Sequence, residues 1–289
     1  MKKILKIVFA VICISILVII LYNVYDNNRI KVVKETIEIT DLPSDFEDFT
    51  ILQISDLHGK TFGKNQERLI KLINSIDYDM IAITGDMVNK HTEDIEPFIE
   101  MLDGIENKEY IFFVDGNVDN PSLNEATNEI TEEGQFLIDK GCNILDKLYE
   151  IKIGESSLWI SRFLDKNQFY ALTCLVEESD DSVKVVLTHY PRHDYHFGEG
   201  TNTPDYDLVL AGHYHAGQWR IPFYGALFVP DAFSDFYLFP NQDEVKGLVT
   251  WGDTNQYVSA GLGASSNYKF LEFRLFNTPE INLLTLKSK

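Results

Sequence analysis

The segment ILQISDLH (residues 51–58) decides the fold class. Its apolar half is typical of a buried strand, and the polar residues Asp56 and His58 come where that strand ends. The patterns that follow are NQERLIKLINSI, an amphipathic helix, DMIAIT, a strand, TEDIEPFIEMLDGI, a helix, and YIFFV, a strand. Strands that alternate with helices predict a largely parallel sheet covered by helices.

The second half of the chain favours β-structure. YEIKIGESSLWISRF predicts a hairpin that turns near Gly154, and VKVVLTHYP and DLVLAGHYH each predict a strand that runs into a histidine-containing loop. Three β-type runs follow, QYVSAGLG, KFLEFRLF and INLLTLK. Between the halves, SLNEATNEITEEGQFLIDKG predicts a third helix, with Ser122 before it and Gly141 after it. Because no linker separates two domains, we expect one domain of two packed sheets.

Five of the predicted strands end in polar residues that suit a binding site. These residues are Asp56, His58, Asp86, Asn117, His189, His213 and His215. A single Asp after a strand is usually a turn former. However, ligand sites in open α/β sheets gather at the C-terminal ends of the strands, and four of the chain's 7 histidines fall there. The pattern therefore predicts one site built from five strand ends.

The residue types in this set indicate metal ions. Mixed imidazole and carboxylate ligands suit Mn, Fe, Zn or Co rather than Ca. Seven side chains are too many for one ion, so we expect two divalent transition-metal ions that share a carboxylate, with Mn favoured. Two such ions clamp the attacking and leaving oxygens in phosphoryl transfer. The formal net charge of −20 excludes nucleic acid as a partner held by a general basic surface, and it means that an anion site needs a local positive source.

The ordered series DLH, GD, GN, H and GHYH, each after an apolar strand, resembles the calcineurin-like metallophosphoesterase family from about residue 51 to the end of the chain. GHYHAGQWRIP, YVSAGLG and RLFNTPEINLLTL are similar to its membrane-anchored bacterial branch, grouped with UDP-2,3-diacylglucosamine hydrolase-like phosphodiesterases. The resemblance implies an α/β fold, a four-layer α/β/β/α sandwich of two mixed sheets. It assigns three ligands to each metal and one that bridges them: Asp56, His58 and His215 for the first metal, Asn117, His189 and His213 for the second, and Asp86 for both. Asp86, Asn117 and His213 are the residues that we expect to be catalytic.

The stretch GNVDN (residues 116–120) departs from the family pattern. The family usually has a His after this Asn, which protonates the leaving oxygen or binds phosphoryl oxygens. Val118 does neither, and Asp119 is left without the His that it would orient. A general acid contributes about 10²–10⁴-fold, whereas the metal ions supply the nucleophile and most of the charge neutralisation. We therefore expect a weakened phosphoesterase that hydrolyses phosphodiesters or pyrophosphates and depends on good leaving groups.

Two other functions remain open at this stage. The first is a catalytically impaired metal-binding pseudoenzyme that binds a phosphorylated envelope ligand, which Val118 favours. The second is a purely structural anchored domain.

Near the site, Lys60 is predicted either to contact a substrate phosphate or to be solvated, and Asn89 either to hydrogen-bond a metal ligand or to cap a helix.

The N-terminal segment, residues 4–22, is apolar except for Lys6 and Ser15. As a helix it spans roughly 28 Å, close to the ~30 Å hydrocarbon core of a bilayer. Lys2 and Lys3 precede it, so the positive-inside rule places the N-terminus in the cytoplasm and the rest of the chain outside. The alternative is a cleaved signal peptide, but no small-x-small cleavage site follows the segment.

We therefore expect a single-pass cell-membrane protein with an extracytoplasmic catalytic domain. Its predicted parts are an anchor (residues 1–25), a tether with an edge strand (26–45) and a metallophosphoesterase domain (46–289). Location and resemblance favour a lipid or cell-wall phosphoester as substrate, beside a phosphorylated small molecule.

Overall fold

The computed structural model describes residues 2–124, 126–164, 167, 182–197, 201, 203–230 and 237–289. Two mixed six-stranded sheets form the domain. The helices are α1 (Lys2–Asn27), α2 (Glu67–Ile73), α3 (Glu96–Gly104) and α4 (Glu132–Asp139). The strands are β1 (Lys31–Ile39), β2 (Thr50–Ile54), β3 (Met80–Ile83), β4 (Ile111–Phe113), β5 (Asn143–Ile144), β6 (Tyr149–Ile153), β7 (Ser156–Arg162), β8 (Ser182–Leu187), β9 (Leu208–Ala211), β10 (Arg220–Ile221), β11 (Gly225–Ala226), β12 (Phe228–Val229), β13 (Tyr237–Leu238), β14 (Gly247–Trp251), β15 (Thr254–Val258) and β16 (Glu280–Ser288).

The first sheet has the strand order β1-β16-β2-β3-β4-β5. Strands β2 to β5 are parallel to one another, and β16 pairs antiparallel to β2 and parallel to β1. The second sheet has the order β14-β15-β9-β8-β7-β6. Its central strands are parallel, and an antiparallel strand closes each edge. The prediction of an α/β fold with two mixed sheets is confirmed.

The two sheets pack face to face through one apolar cluster. This cluster is formed by alternate residues along the strands of both sheets, such as Ile51 and Phe112 in the first sheet and Val185 and Leu210 in the second. The side chains between them in sequence, such as Ile54 and Ile83, point to the other face of the first sheet, where α2, α3 and α4 cover them. Buried on both faces, β3 is a continuous apolar run, as is typical of parallel covered sheets, and β2 is apolar except for Thr50 and the buried Gln53. The outer face of the second sheet carries a smaller cluster that includes Tyr206 and Val209.

Two sequence predictions about local structure are wrong. The predicted third helix does not begin after Ser122, because the Ser122 hydroxyl and amide both donate to Asp115 (2.8 and 2.9 Å) and hold the segment in a loop. Helix α4 begins at Glu132, where Thr131 caps it by accepting the amide of Gly134 at 3.1 Å. KFLEFRLF contains a 3-10 turn, Lys269–Leu271, and one isolated bridge instead of a strand.

Helix α1 is apolar enough to cross a membrane. Its most apolar 18-residue window has a mean hydropathy of 3.2 and is not buried against the rest of the protein. The helix continues to Asn27, beyond the apolar run, and its last turn contacts the domain. Asp26 is 1% exposed and accepts hydrogen bonds from Arg29 at 3.0 Å and from Thr278 at 2.7 Å. The end of the helix is therefore fixed to the domain by polar contacts.

Candidate metal centre

The C-terminal ends of five central strands meet at one edge of the two sheets. Strands β2, β3 and β4 of the first sheet and β8 and β9 of the second each continue into a turn that carries candidate ligands. Two groups of side chains result, one with Asp56, His58, Asp86 and His215 and one with Asp86, His189 and His213, and within each group the ligand atoms lie within 4.8 Å of one another. The structure thus brings the strand-end residues together.

One carboxylate oxygen belongs to both groups. Asp86 Oδ2 lies 3.4 Å from His58 Nε2 and 3.3 Å from His189 Nε2. In the first group, His215 Nε2 is 3.1 Å from His58 Nε2 and 3.6 Å from Asp56 Oδ1. Two sets of candidate ligand atoms, each able to hold a metal ion, therefore meet at one oxygen.

Asn117 and His213 complete the second group. Asn117 Oδ1 and His213 Nδ1 each lie 3.1 Å from His189 Nε2. His189 Nδ1 lies 2.9 Å from the carbonyl oxygen of Thr84, which fixes the ring and leaves Nε2 for the site. Asn117 is the exposed member of the set, while the His and Asp members are buried.

The donor chemistry fits divalent ions. Burial lowers the pKa of His58 to about 4 and, with His58 as its neighbour, lowers the pKa of His215 well below its usual value, so both rings are neutral ligands at neutral pH. Burial raises the pKa of Asp56 to about 7. Burial alone would do the same to Asp86, but His189 outweighs it and lowers the Asp86 pKa well below its usual range. Burial likewise opposes the charge on His189, yet Asp86 raises that pKa to about 9. Divalent cations bind the deprotonated forms and displace such protons.

The backbone at the site is strained. Asp56, His58, Asp86, His213 and His215 have φ values of 53°, 49°, 56°, 69° and 49°. A left-handed conformation costs a non-glycine residue roughly 1–2 kcal/mol, and such residues cluster at functional sites where the fold overrides the cost. Five of the candidate ligands have this left-handed conformation, so the turns orient side chains towards the site as well as reversing the chain.

Two glycines leave room for the carboxylates. A Cβ atom on Gly116 would collide with Asp86 Oδ1 and with the Asp86 amide nitrogen. A Cβ on Gly212 would lie 2.5 Å from Asp56 Oδ2 and closer still to the Ser55 hydroxyl. Neither glycine has a left-handed φ. Close approach, not conformational freedom, therefore requires glycine at these two positions.

Asp119 holds the Asp86 turn. Its Oδ2 accepts the amides of Asp86 (2.7 Å) and Gly116 (2.8 Å), and its Oδ1 accepts those of Met87 (2.8 Å) and Val88 (3.0 Å). Asp119 has no His to orient, and four backbone donors instead occupy both of its oxygens. The carboxylate thus fixes the loop that carries the shared ligand.

Val118 contributes through its backbone. Its amide donates to Asp86 Oδ1 at 3.0 Å, which leaves Asp86 Oδ2 to face both groups. The half-buried Val118 side chain offers no polar atom to the site. Val118 therefore acts on the site through its amide and not through its side chain.

Arg274 binds the backbone of the turns around the site, and sequence reasoning missed it. It is fully buried and donates to the carbonyls of Gly263 and Ala260 (both 2.7 Å), Asn277 (3.0 Å) and His215 (3.3 Å). Burial lowers its pKa to about 10. The only sequence signal was an Arg at the head of RLFNTPE, and nothing local indicates that it is buried.

The end of the anchor helix joins the same scaffold. The Asn27 side chain donates to the carbonyl of Arg274 at 2.7 Å and accepts its amide at 2.8 Å. Lys60 Nζ donates to the carbonyl of Asn27 at 2.6 Å, so Lys60 binds the C-terminus of the helix instead of being solvated. Asn89 donates to the carbonyl of His58 at 3.2 Å and also accepts the amides of His91 and Thr92, so it both contacts a candidate ligand's backbone and caps a turn.

The chain is similar in sequence to several known proteins. The metallophosphoesterase YkuE of Bacillus subtilis, described as uncharacterized, is 29% identical over 272 residues, 90% of this chain and 87% of that protein. An uncharacterized metallophosphoesterase of Campylobacter jejuni, Cj0846, is 26% identical over 281 residues, 95% of this chain and 69% of that protein. The phosphodiesterase YaeI of Escherichia coli is 24% identical over 253 residues, 82% of each chain. Since the calcineurin-like phosphoesterase family profile matches residues 49–217, more than half of the chain, the protein belongs to that family.

Proposed function

We propose that the protein is a dinuclear-metal phosphoesterase that hydrolyses phosphodiesters or pyrophosphates at the outer face of the cell membrane. The observation that carries the proposal is the single oxygen, Asp86 Oδ2, that two groups of buried ligand atoms share. Asp56, His58 and His215 would hold one ion, Asn117, His189 and His213 the other, and Asp86 both. Two such ions supply a water activated near neutral pH and neutralise phosphoryl oxygens.

The chain's own residues position this chemistry. Asp119 and the Val118 amide fix Asp86 so that one oxygen faces both groups. His189, oriented by the carbonyl of Thr84, lies beside the exposed Asn117, so substrate approaches from the Asn117 side of the centre. Among the described residues of GNVDN, no acidic side chain is available to protonate the leaving group, because Asp119 already accepts four backbone amides. Esters with acidic leaving groups therefore suit this site.

The anchor favours a lipid-linked phosphoester as substrate. A cavity of about 720 Å³ lies between the last turns of α1 and the metal centre. Ile19, Ile20 and Val24 of α1 form one wall, and His58 lies on another. The apolar wall continues a membrane-spanning face, so an acyl chain that leaves the bilayer can stay covered while its phosphate reaches the ions.

Metal content and hydrolysis test the function. We expect the full chain in detergent, stripped and reloaded with Mn²⁺, to bind two ions per chain and to hydrolyse bis(4-nitrophenyl) phosphate. Asp86→Asn removes the charge that both ions share and should abolish two-ion binding and activity. Asp103→Asn, the same change at an exposed position of α3 paired with Lys140, should leave both unchanged.

Each outcome separates the candidate functions. Two bound ions without Mn-dependent hydrolysis would favour the binding-only pseudoenzyme, which Val118 makes the second candidate. Failure to bind any ion would overturn both functions.

The lipid part has its own test. Dodecyl and methyl 4-nitrophenyl phosphates, compared in the same micelles, should differ by about tenfold or more in kcat/KM, since each buried methylene contributes about 0.8 kcal/mol. Ala264→Phe, which fills the cavity, should remove that preference and spare the methyl ester. A preference that survives in Ala264→Phe would refute the assignment of this cavity.

A further inference from the structure

A second cavity, of about 760 Å³, also reaches the metal centre, and it shares no lining residue with the cavity beside α1. Asn117 and His189 lie on its wall, so a substrate bound at the ions extends into it. Two arginines, Arg162 and Arg192, line the same cavity. The chain has a formal net charge of −20, so two arginine side chains that line one cavity differ from the mainly acidic chain.

Arg192 is held in place, and no carboxylate of the described residues pairs with its charge. Its guanidinium lies 3.8 Å from the centroid of the Phe163 ring, and Nη2 donates to the Thr188 hydroxyl at 3.3 Å. Its Nε is buried and has no hydrogen-bond partner in the part of the chain that the structure describes. The ring of Phe163 and Thr188 thus fix the plane of the guanidinium while leaving donors free.

Within the described residues, the side chain of Arg162 bonds to a neutral partner. Its Nη2 donates to Asn128 Oδ1 at 2.9 Å. Across the described ranges, neither arginine forms an ion pair with a carboxylate. Two acids also lie on the cavity wall, and neither pairs with these arginines among the described residues. Asp119 accepts four backbone amides, and Asp115 Oδ2 accepts the amide and hydroxyl of Ser122, while Asp115 Oδ1 is buried.

We propose that Arg162 and Arg192 form a subsite for a second anionic group of the substrate, a phosphate or a carboxylate. This inference rests on the proposed phosphoesterase function and narrows its substrate class to phosphoesters that carry another negative charge. A planar guanidinium donates two parallel hydrogen bonds to such a group. A partly buried cation without an acid also gains more from an incoming anion than a surface cation does, because water screens it less.

The test uses two substrates that differ by one phosphate. These are thymidine 5′-(4-nitrophenyl phosphate) and its 3′-phosphorylated form, which release the same nitrophenol. We expect the Mn-loaded full chain to prefer the 3′-phosphorylated substrate by about tenfold or more in kcat/KM, the effect of one charge-assisted hydrogen bond. Arg192→Met keeps an apolar stem over Phe163 and removes the charge, so it should lose the preference while turnover of the other substrate changes little.

Binding gives a readout that does not depend on catalysis. By calorimetry, thymidine 3′,5′-bisphosphate should bind more tightly than thymidine 5′-monophosphate to the wild type, and Arg192→Met and the more exposed Arg162→Gln should each reduce the difference. Lys152→Gln, which removes the same charge from an exposed position of β6, should not.

The outcomes distinguish this inference from the proposed function. Hydrolysis of neither substrate would count against the phosphoesterase itself. Hydrolysis and binding without a preference, or a preference that persists in both arginine variants, would overturn the subsite alone.

Discussion

Replacing Asp119 with Asn isolates the contribution of one carboxylate to the metal centre. The side chains are nearly the same size, but Asn has one acceptor oxygen where Asp has two. In the protein both oxygens are used, each by two amides at 2.7–3.0 Å. Asn therefore keeps two of these hydrogen bonds and points its own NH₂ donors at the other two amides.

The structure sets the size of the effect. Each buried amide left without its acceptor costs about 1–3 kcal/mol, so two amides cost about 4 kcal/mol. Relief of a buried charge offsets part of this, because burial and the nearby Asp86 raise the pKa of Asp119. A net loss of about 3 kcal/mol in the free energy of unfolding is expected. Because three of the four amides belong to the turn that carries Asp86, Mn²⁺ affinity should also fall about 10–100-fold.

Two measurements check this prediction. Urea unfolding in EDTA reports the stability without a contribution from metal binding, and calorimetry with Mn²⁺ reports the affinity. Asp103→Asn serves as the surface control, with an expected change below about 0.5 kcal/mol. If Asp119→Asn unfolds within 1 kcal/mol of the wild type and binds Mn²⁺ equally well, the four amide contacts do not organise the site.

Three further predictions follow from single positions. Gly116→Ala places a Cβ on the Asp86 carboxylate, so Mn²⁺ affinity measured by calorimetry should fall about tenfold or more; unchanged affinity would show that the turn can shift. Val118→His should raise kcat on esters with poor leaving groups, by at most the 10²–10⁴-fold that a general acid contributes, and should change kcat on aryl esters little. Equal rates of the two proteins on poor leaving groups would refute the expectation that the protein lacks a general acid. Asn27→Ala removes both hydrogen bonds to the Arg274 backbone, so it should lower the thermal midpoint and expose residues 28–30 to protease. The control Asn28→Ala, which removes a side-chain hydrogen bond to the carbonyl of Val24, should change neither.

The sequence predicted the fold class and gathered the candidate ligands because both depend on short patterns. An apolar run of strand length followed by Asp, Asn or His is visible within about ten residues, and parallel strands necessarily end at the same edge. The same local reading failed at Ser122, which looked like a helix cap. Its hydroxyl bonds Asp115, seven residues earlier, instead of an amide of the helix.

The sequence by itself determined the family, the two-sheet architecture, the apolar N-terminal helix and the set of residues at the strand ends. Only the tertiary structure decided how that set is held. Asp119 binds amides about 30 residues away, Arg274 gathers carbonyls from three separate turns, and Asn27 joins the anchor helix to that scaffold. Arg162 and Arg192 reach one cavity from different strands and loops. Hydrogen bonds of this kind depend on the distance between atoms in the folded chain, and no periodic pattern in the sequence encodes that distance.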